Sequence, residues 1–346
     1  MPRNSRLAAG KVPLAVLERS VFPFLGSPSK RVLIGAAVGE DTPIIDMGDR
    51  VLVVKANPIT GAEKNIGKLA VNINANDVAA RGAKPLWFLN IILLSEGTQE
   101  KELLKVMSEI DEACRRLNIQ IIGGHTECTP NLKSPIIAGF MLGEAPKDKY
   151  ITGKNVKPGD HILLTKGAGI EGTGIIASDF TNELKLKVST RTLARAKKFI
   201  ERISIVEEAL KAVEAGGIHS MHTPTEGGII NGLAELGEAG SIGLRVEEKL
   251  IHLEPETRAI CEALSIDPLK LISSGSLLLT VDPKRSENVI NVLKEAGFEV
   301  TKIGEVLSNK NKRILIRKNG LIEKIKPVYQ DELFRLLEAR SVTFHK

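Results

Sequence analysis

The residues best suited to chemistry in this sequence lie in an Asp-x4-Gly-Ala-x-Pro segment that starts at Asp77. A carboxylate fixed at the end of a helix can bind Mg²⁺, which prefers oxygen ligands, and Gly82 gives the helix a tight end. Three asparagines precede Asp77, the last of them Asn76. Because asparagine is a poor helix former, they indicate a polar face directed at a cleft. The segment therefore suits Mg-ATP at a helix end, with Asn76, Asp77 and Gly82 as candidates. The alternative is a polar helix face with an ordinary C-terminal stop.

A second acidic segment, Gly39-Glu40-Asp41, follows an apolar stretch and precedes Ile44-Ile45. Carboxylates at a strand end can also bind Mg²⁺, which makes Asp41 a second candidate ligand beside Asp77. Taken alone, the three residues are explained more simply as an acidic turn.

A third segment, Gly123-Gly124-His125-Thr126-Glu127, comes directly after the candidate strand Ile119 to Ile122. Paired glycines at Gly123 and Gly124 let backbone N–H groups approach a phosphate. The polar trio after them can position metal or substrate, so His125 and Glu127 are catalytic candidates and Thr126 is a binding candidate. A tight turn between two strands is an equally good interpretation.

Two glycine-rich turns in the second half of the chain precede predicted helices. Residues 167–174 contain four glycines, but the Lys-Ser/Thr ending of a Walker A loop is missing. Residues 223–228, Thr-Pro-Thr-Glu-Gly-Gly, place Gly227 and Gly228 at another helix start, with Thr225 as a candidate cap. Helix N-termini favour anions, so both turns are candidate phosphate or substrate sites. His222 is a candidate base, although a lone histidine is more often structural.

The elements that must position these residues alternate between helices and strands. Apolar periodicity predicts helices at Leu14 to Ser20, Ile66 to Arg81 and Gln99 to Leu117. Apolar runs predict strands at Val51 to Val54, ended by Asn57-Pro58, and at Leu86 to Leu94. Residues 144–160 shift to Lys, Pro, Gly and Asp, which predicts a domain boundary near residue 150. The expected organisation is an N-terminal arm (1–30), a first α/β domain (31–150) and a second (151–346).

Composition limits the classes of function. The chain has 346 residues, a net charge of +6 and only 3% aromatic residues, and its positive charges are scattered. Base stacking is therefore disfavoured, and so is nucleic acid as a partner. Three widely spaced cysteines form no Cys-x-x-Cys pair, which disfavours a disulfide framework or a zinc site. No secretory signal follows the basic residues at the start, and no apolar run approaches the ~20 residues of a membrane span. The expected location is the cytoplasm.

In this order, the segments at 38–41, 76–85, 123–127 and 221–228 resemble the superfamily of aminoimidazole ribonucleotide (AIR) synthetases, selenophosphate synthetases, thiamine-monophosphate kinases and hydrogenase maturation proteins. The match is most similar to the hydrogenase expression/formation branch and its archaeal relatives. The resemblance implies a two-domain α/β (α+β) fold whose N-terminal domain binds ATP and pairs in a homodimer. Mg-ATP would lie in the cleft between subunits and domains, with Asp41 and Asp77 on magnesium and Lys11 on a phosphate. Gly123, Gly124, Gly227 and Gly228 would line the cleft.

In the hydrogenase branch, a carbamoylated C-terminal cysteine is dehydrated to a thiocyanate. Here no cysteine follows Cys261, so this reaction on the chain's own tail is not expected. Relatives also carry acidic residues where this sequence has the neutral Asn57, Asn90, His125 and Thr223, and each exchange weakens the attraction for Mg²⁺. The leading hypothesis is an ATP-dependent enzyme that activates an oxygen-bearing substrate, either a small molecule or a group carried by a protein. The alternative is a non-catalytic nucleotide-binding partner or regulatory protein on the same fold.

Overall fold

The structure, a computed structural model, describes residue 7, residues 12–37, residue 40 and residues 42–343. Its first unit contains, in chain order, α1 (Leu14–Ser20), β1 (Val32–Ile34), β2 (Ile44–Asp46), β3 (Arg50–Ile59), α2 (Ile66–Ala79), β4 (Lys84–Ser95), α3 (Glu100–Arg116), β5 (Gln120–Thr129) and β6 (Ile136–Pro146). The six strands form one sheet in the order β1-β2-β3-β6-β4-β5. Only β4 and β5 run parallel; the other neighbours are antiparallel.

The second unit contains β7 (His161–Thr165), α4 (Ile170–Asp179), α5 (Thr181–Leu184), α6 (Thr190–Lys197), α7 (Val206–Ala215), β8 (Ile218–His222), α8 (Gly228–Ala239), β9 (Gly243–Glu247), α9 (Pro255–Leu264), β10 (Leu278–Val281), α10 (Pro283–Glu295), β11 (Val300–Leu307), β12 (Arg313–Ile316), β13 (Ile322–Lys324) and α11 (Glu332–Thr343). Its seven strands follow the order β13-β12-β9-β11-β7-β10-β8. Mixed helices and sheets in two units confirm the α/β (α+β) class.

The two units share one apolar core. A single cluster of buried side chains runs from Ile44 in the first sheet, through α2, to Leu279 and Leu333 in the second unit. Helix α2 is the centre of this arrangement, because 12 of its 14 residues are buried. Its Gly67 lets α3 cross closely, since a Cβ there would lie 2.6 Å from the carbonyl oxygen of Val106. Because α2 contacts both units, its side chains can interact with residues of either unit.

Three helical predictions agree closely with the structure. Helix α1 has the predicted bounds, α3 is one residue shorter at each end, and α2 ends two residues earlier than predicted. Strand β4 covers the predicted run at residues 86–94. In the part of the chain that the structure describes, no helix is both long and apolar enough to cross a membrane.

Two strand predictions were wrong. Strand β3 does not end before Asn57-Pro58 but continues through them to Ile59. The proline is tolerated because β2 stops opposite Val53, so beyond that point β3 has only β6 as a neighbour. Likewise, the strand predicted at residues 119–122 does not end at Ile122, because Gly123 and Gly124 are extended and lie inside β5; the alternative of a tight turn at the two glycines is therefore excluded.

Candidate active site

A cavity of about 430 Å³ lies between the two units, beside the C-terminal end of α2. One wall comes from β3, α2 and the turn after α2, and it carries Lys55, Asn57, Asp77 and Arg81. The opposite wall comes from the second unit, with charged and polar side chains that include Glu171, His222, Thr223, Glu226 and Ser274. The predicted cleft residue Asp77 therefore does face a cleft between domains.

Both oxygens of Asp77 are engaged by neighbouring donors. Its Oδ2 lies 3.1 Å from the Lys55 ammonium and accepts a hydrogen bond of 2.8 Å from the Asn57 amide. Its Oδ1 accepts a hydrogen bond from the Thr223 hydroxyl, across the domain boundary. The Lys55 and Asp77 side chains are only 3% and 9% exposed. The carboxylate is thus held in place by one positive charge and two neutral donors.

A second buried ion pair involves Arg81, which follows Asp77 in the chain. Arg81, one helical turn after Asp77, is 2.7 Å from Glu40, and the two side chains are 9% and 1% exposed. Thr42 is also buried and lines the cavity. Asp41 and Lys11, predicted for magnesium and phosphate, lie outside the described residues.

The asparagines that were predicted to face the cleft form hydrogen bonds with the backbone of neighbouring segments. The Asn74 side chain accepts a hydrogen bond of 2.8 Å from the backbone N–H of Asn57 and so holds β3 against α2. Asn76 is 1% exposed; its amide donates to the carbonyl of Ile203 and accepts from the N–H of Ile205, both at 2.8 Å. Its predicted role in nucleotide binding is therefore not visible in this arrangement, and it stays a prediction.

The glycines predicted to bind the nucleotide shape the ends of helices around the cavity. Gly82 adopts a φ of +74° in the turn after α2. Gly227 and Gly228 adopt φ values of +77° and +63° where α8 begins, next to the cavity residue Glu226. Their N–H groups already bond within the chain, to Asp331 and to the carbonyl of Thr225. A phosphate contact from these N–H groups would require those bonds to break.

The third predicted segment lies elsewhere in this single chain. Gly123, Gly124, His125, Thr126 and Glu127 belong to β5, the last strand of the six-stranded sheet, and all five are exposed. The ring of His125 is 3.1 Å from the Glu127 carboxylate, and this hydrogen bond, together with one from Thr129, lowers the pKa of Glu127. None of the five lines the cavity beside Asp77, so the chain alone does not bring the two predicted groups together.

The second unit places an acidic corner on its side of the cavity. Glu171 lies in the first turn of α4 and is 2% exposed. Burial raises its pKa to about 8, and the nearby carboxylates of Glu226 and Asp331 contribute to the rise. Burial likewise raises the pKa of Asp331 to about 7. The sequence predicted that this glycine-rich turn favours anions; the structure shows that the protein's own carboxyl group occupies the helix start.

Sequence reasoning missed three ionisable residues of this site: Lys55, Arg81 and Glu171. A signal existed for Lys55, because it shares the buried face of β3 with Val51 and Val53, and a lysine in that position needs a partner. His222, considered as a base, lines the cavity with its ring 2.9 Å from the Glu235 carboxylate.

The chain belongs to the AIR synthase related family. Residues 39–145 match AIR synthase related protein, N-terminal domain, and residues 157–317 match its C-terminal domain. The chain is 30% identical over 297 residues to a putative hydrogenase expression/formation protein of Methanocaldococcus jannaschii, covering 83% of this chain and 85% of that one. It is 28% identical over 253 residues to the carbamoyl dehydratase HypE of Rhizobium leguminosarum bv. viciae, covering 71% and 69%.

The fold is shared with a solved relative. The crystal structure of hydrogenase maturation protein HypE in complex with ATP superimposes with a TM-score of 0.71 at 22% identity, covering 94% of this chain and 98% of that one. The resemblance seen in the sequence segments is thus confirmed at the level of family and fold.

Proposed function

We propose that this protein is an ATP-dependent enzyme that activates the oxygen of an amide-like substrate by phosphorylation and removes it as phosphate. The observation that carries the proposal is the cavity between the domains, with Asp77 fixed at its helix end by donors from both units. The relatives support it, because one is named a carbamoyl dehydratase and another was solved with ATP. A carbamoyl group attached to sulfur, in a protein or peptide, is the proposed substrate class.

Magnesium is proposed to accompany the nucleotide, with Asp41 and Asp77 as ligands. Asp77 fits this role only after a rearrangement, because Lys55, Asn57 and Thr223 now engage both of its oxygens. Calorimetric titration with ATP, with and without Mg²⁺, tests the assignment. Binding that depends on magnesium supports it, whereas equal binding without the ion would remove Asp77 from the metal site.

A homodimer is proposed to complete the site. Strand β5 ends the sheet with eight of its ten residues exposed, and Ile122 is 49% exposed. An open edge that carries an apolar side chain is a natural surface for pairing with another chain. Pairing there would place His125 and Glu127 at a boundary between subunits, where a second copy can use them.

The activity itself is tested by ADP formation with a peptide that carries S-carbamoylcysteine. We expect the peptide to stimulate ADP release by the native protein and not by Asp77→Asn. Nucleotide binding without any stimulated turnover would favour the second candidate, a non-catalytic nucleotide-binding partner. That candidate has its own support in the Lys55–Asp77 pair, which leaves the carboxylate neutralised within the chain.

A further inference from the structure

A cluster of metal-ligating side chains lies in the second unit, outside the cavity beside Asp77. In the part of the chain that the structure describes, His252, Glu254 and Glu299 form one group of three such side chains, and their ligand atoms all lie within 4.8 Å of one another. None of the three residues lines the cavity. The proposed nucleotide chemistry therefore does not account for this cluster.

The distances within the cluster are too long for hydrogen bonds and fit the edges of a metal coordination shell. Nε2 of His252 is 3.7 Å from the carboxylate of Glu254 and 3.5 Å from that of Glu299, whereas a charged hydrogen bond between nitrogen and oxygen is about 2.7–2.9 Å long. With zinc bonds of about 2.0–2.2 Å, two ligands of a tetrahedral ion are about 3.3–3.6 Å apart. An ion between the three side chains accounts for a spacing that a shared proton does not.

The imidazole nitrogen that faces the two carboxylates makes no hydrogen bond. Within the described chain, Nε2 of His252 is a buried atom without a hydrogen-bond partner, although the side chain as a whole is 40% exposed. A buried polar atom that lacks a partner costs free energy, and a neutral imidazole can direct the lone pair of this nitrogen at a metal ion. The unpaired nitrogen thus indicates, independently of the carboxylates, a cation bound at this position.

The backbone holds the two segments that carry the ligands side by side. The carbonyl of His252 accepts a hydrogen bond of 3.0 Å from the N–H of Ala168, and the carbonyl of Glu299 accepts one of 2.9 Å from the N–H of Lys166. The two donors flank Gly167, which has a φ of +113° and where a Cβ would lie 2.6 Å from the carbonyl oxygen of His252. Because this close approach requires glycine, the loop before α9 and the start of β11 are fixed next to each other before any ion binds.

The neighbouring cations leave the ligand atoms accessible. Arg202 donates to Oε1 of Glu254 at 2.6 Å, so Oε2 is the oxygen that faces His252, and the arginine orients the carboxylate as outer-shell partners of metal ligands do. The Lys166 ammonium lies 2.8 Å from the carboxylate of Glu208. The Glu299 side chain is 61% exposed, so an ion can enter from solvent and keep a water molecule as a further ligand.

We propose that His252, Glu254 and Glu299 bind one Zn²⁺ ion, with a water molecule as the fourth ligand. Zinc accepts one imidazole nitrogen and two carboxylate oxygens, whereas Mg²⁺ and Ca²⁺ prefer oxygen ligands alone. The ion connects the loop before α9 to the start of β11, and the two carboxylates balance its charge. This zinc site is separate from the proposed magnesium site, and it stands or falls independently of any turnover of ATP.

The test is calorimetric titration of the chelator-treated protein with Zn²⁺ at about pH 7.5, where an ordinary imidazole is neutral. The native protein should bind Zn²⁺, and Mg²⁺ should not compete. His252→Ala and Glu299→Gln should each lower the affinity at least about tenfold. His161→Gln is the matched control: Nδ1 of His161 is also buried without a hydrogen-bond partner in the described chain, but this residue belongs to no such cluster there, so its substitution should leave zinc binding unchanged.

Cobalt(II) serves as a coloured probe of the same site. Strong visible absorption, which indicates a four-coordinate ion, should appear in the native protein and in His161→Gln and be lost in His252→Ala; a weak, six-coordinate spectrum of the native protein would overturn the tetrahedral site. Absence of zinc binding would also overturn the proposal, and so would binding that neither His252→Ala nor Glu299→Gln weakens, because the ion would then lie at another histidine. Thermal melting without metal checks that each variant is folded; if His252→Ala does not fold, Glu299→Gln, which changes an exposed side chain at constant size, decides.

Discussion

The Lys55–Asp77 pair allows a quantitative test of how the cleft is held together. Replacing Asp77 with Asn keeps the shape of the side chain and removes its charge. The Lys55 ammonium would then remain in a site where its side chain is 3% exposed, without the carboxylate that now lies 3.1 Å away. Breaking a buried ion pair by removing one of its members destabilises a protein by about 3–5 kcal/mol. We therefore expect Asp77→Asn to unfold with a free energy lower by about 4 kcal/mol.

The same reasoning predicts that removal of both charges is far less harmful. The double variant Lys55→Met/Asp77→Leu removes both members of this pair, and apolar replacements of buried ion pairs are often neutral. We expect it to recover most of the stability lost in Asp77→Asn. Loss of the hydrogen bonds from Asn57 and Thr223 limits the recovery, because two donors then lack an acceptor.

Urea unfolding of the native protein, Lys55→Met, Asp77→Leu and their double variant measures the coupling, with domain-specific probes to show whether the transition is two-state. Asp46→Asn is the control, because Asp46 pairs with Lys147 at the surface, where the two side chains are 26% and 47% exposed. It should lower the midpoint much less than Asp77→Asn. If Asp77→Asn and Asp46→Asn had the same midpoint, or if the loss of stability in the double variant equalled the sum of the losses in Lys55→Met and Asp77→Leu, the buried pair would not hold the cleft as described.

Three further predictions concern other parts of the molecule. Burial raises the pKa of Glu171 from 4.5 to about 8, so the contribution of this residue to stability is full below pH 4.5 and is lost as the pH rises through about 8. Glu171→Gln should therefore melt at the same temperature as the native protein at about pH 5, and at a higher temperature than the native protein at about pH 9. A difference in melting temperature that does not change with pH would contradict the raised pKa. Gly228→Ala would place a Cβ 2.6 Å from two carbonyl oxygens at a φ of +63° and should cost about 3 kcal/mol or more in unfolding free energy; Gly297→Ala, with positive φ and open space around it, should cost only about 1 kcal/mol. Ile122→Asp should convert the proposed dimer to monomer in light scattering, and an unchanged mass would place the interface elsewhere.

The elements with strong apolar periodicity could be predicted from the sequence. Helices α1, α2 and α3 follow directly from the spacing of their apolar residues, and Asp77, which the sequence directs at a cleft, lines the cavity. The ends of strands were harder to predict, because Asn57-Pro58 indicated an end for β3 although the strand continues to Ile59. A proline marks the end of a strand only if both sides of that strand are paired, and pairing is a property of the whole sheet.

The composition of the site could not be predicted to the same degree. Thr223 is 146 residues from Asp77 in the chain, and no local pattern indicates that they meet. Glu171 was not considered as a site residue, because a glycine-rich helix start is usually a binding site for an external anion and not for an acidic side chain of the protein. Burial raises the pKa of Glu171, so its carboxyl group is neutral over much of the pH range. A neutral carboxyl group can occupy a buried position in which a charged one would be unstable.

The contacts between the domains also determine how the cleft can open. Asn76 is bonded to the backbone at residues 203 and 205, and the Lys64 ammonium donates to the carbonyl of Ser178 at 2.7 Å. The ion pair of Lys68 with Glu201, 2.8 Å apart, joins the same two units, so α2 is tied to the second unit along its length. The Thr223–Asp77 bond comes from a different element, the end of β8, and it joins the units at the cavity itself. A ligand that takes over the oxygens of Asp77 would break this bond and leave the other contacts between the units in place.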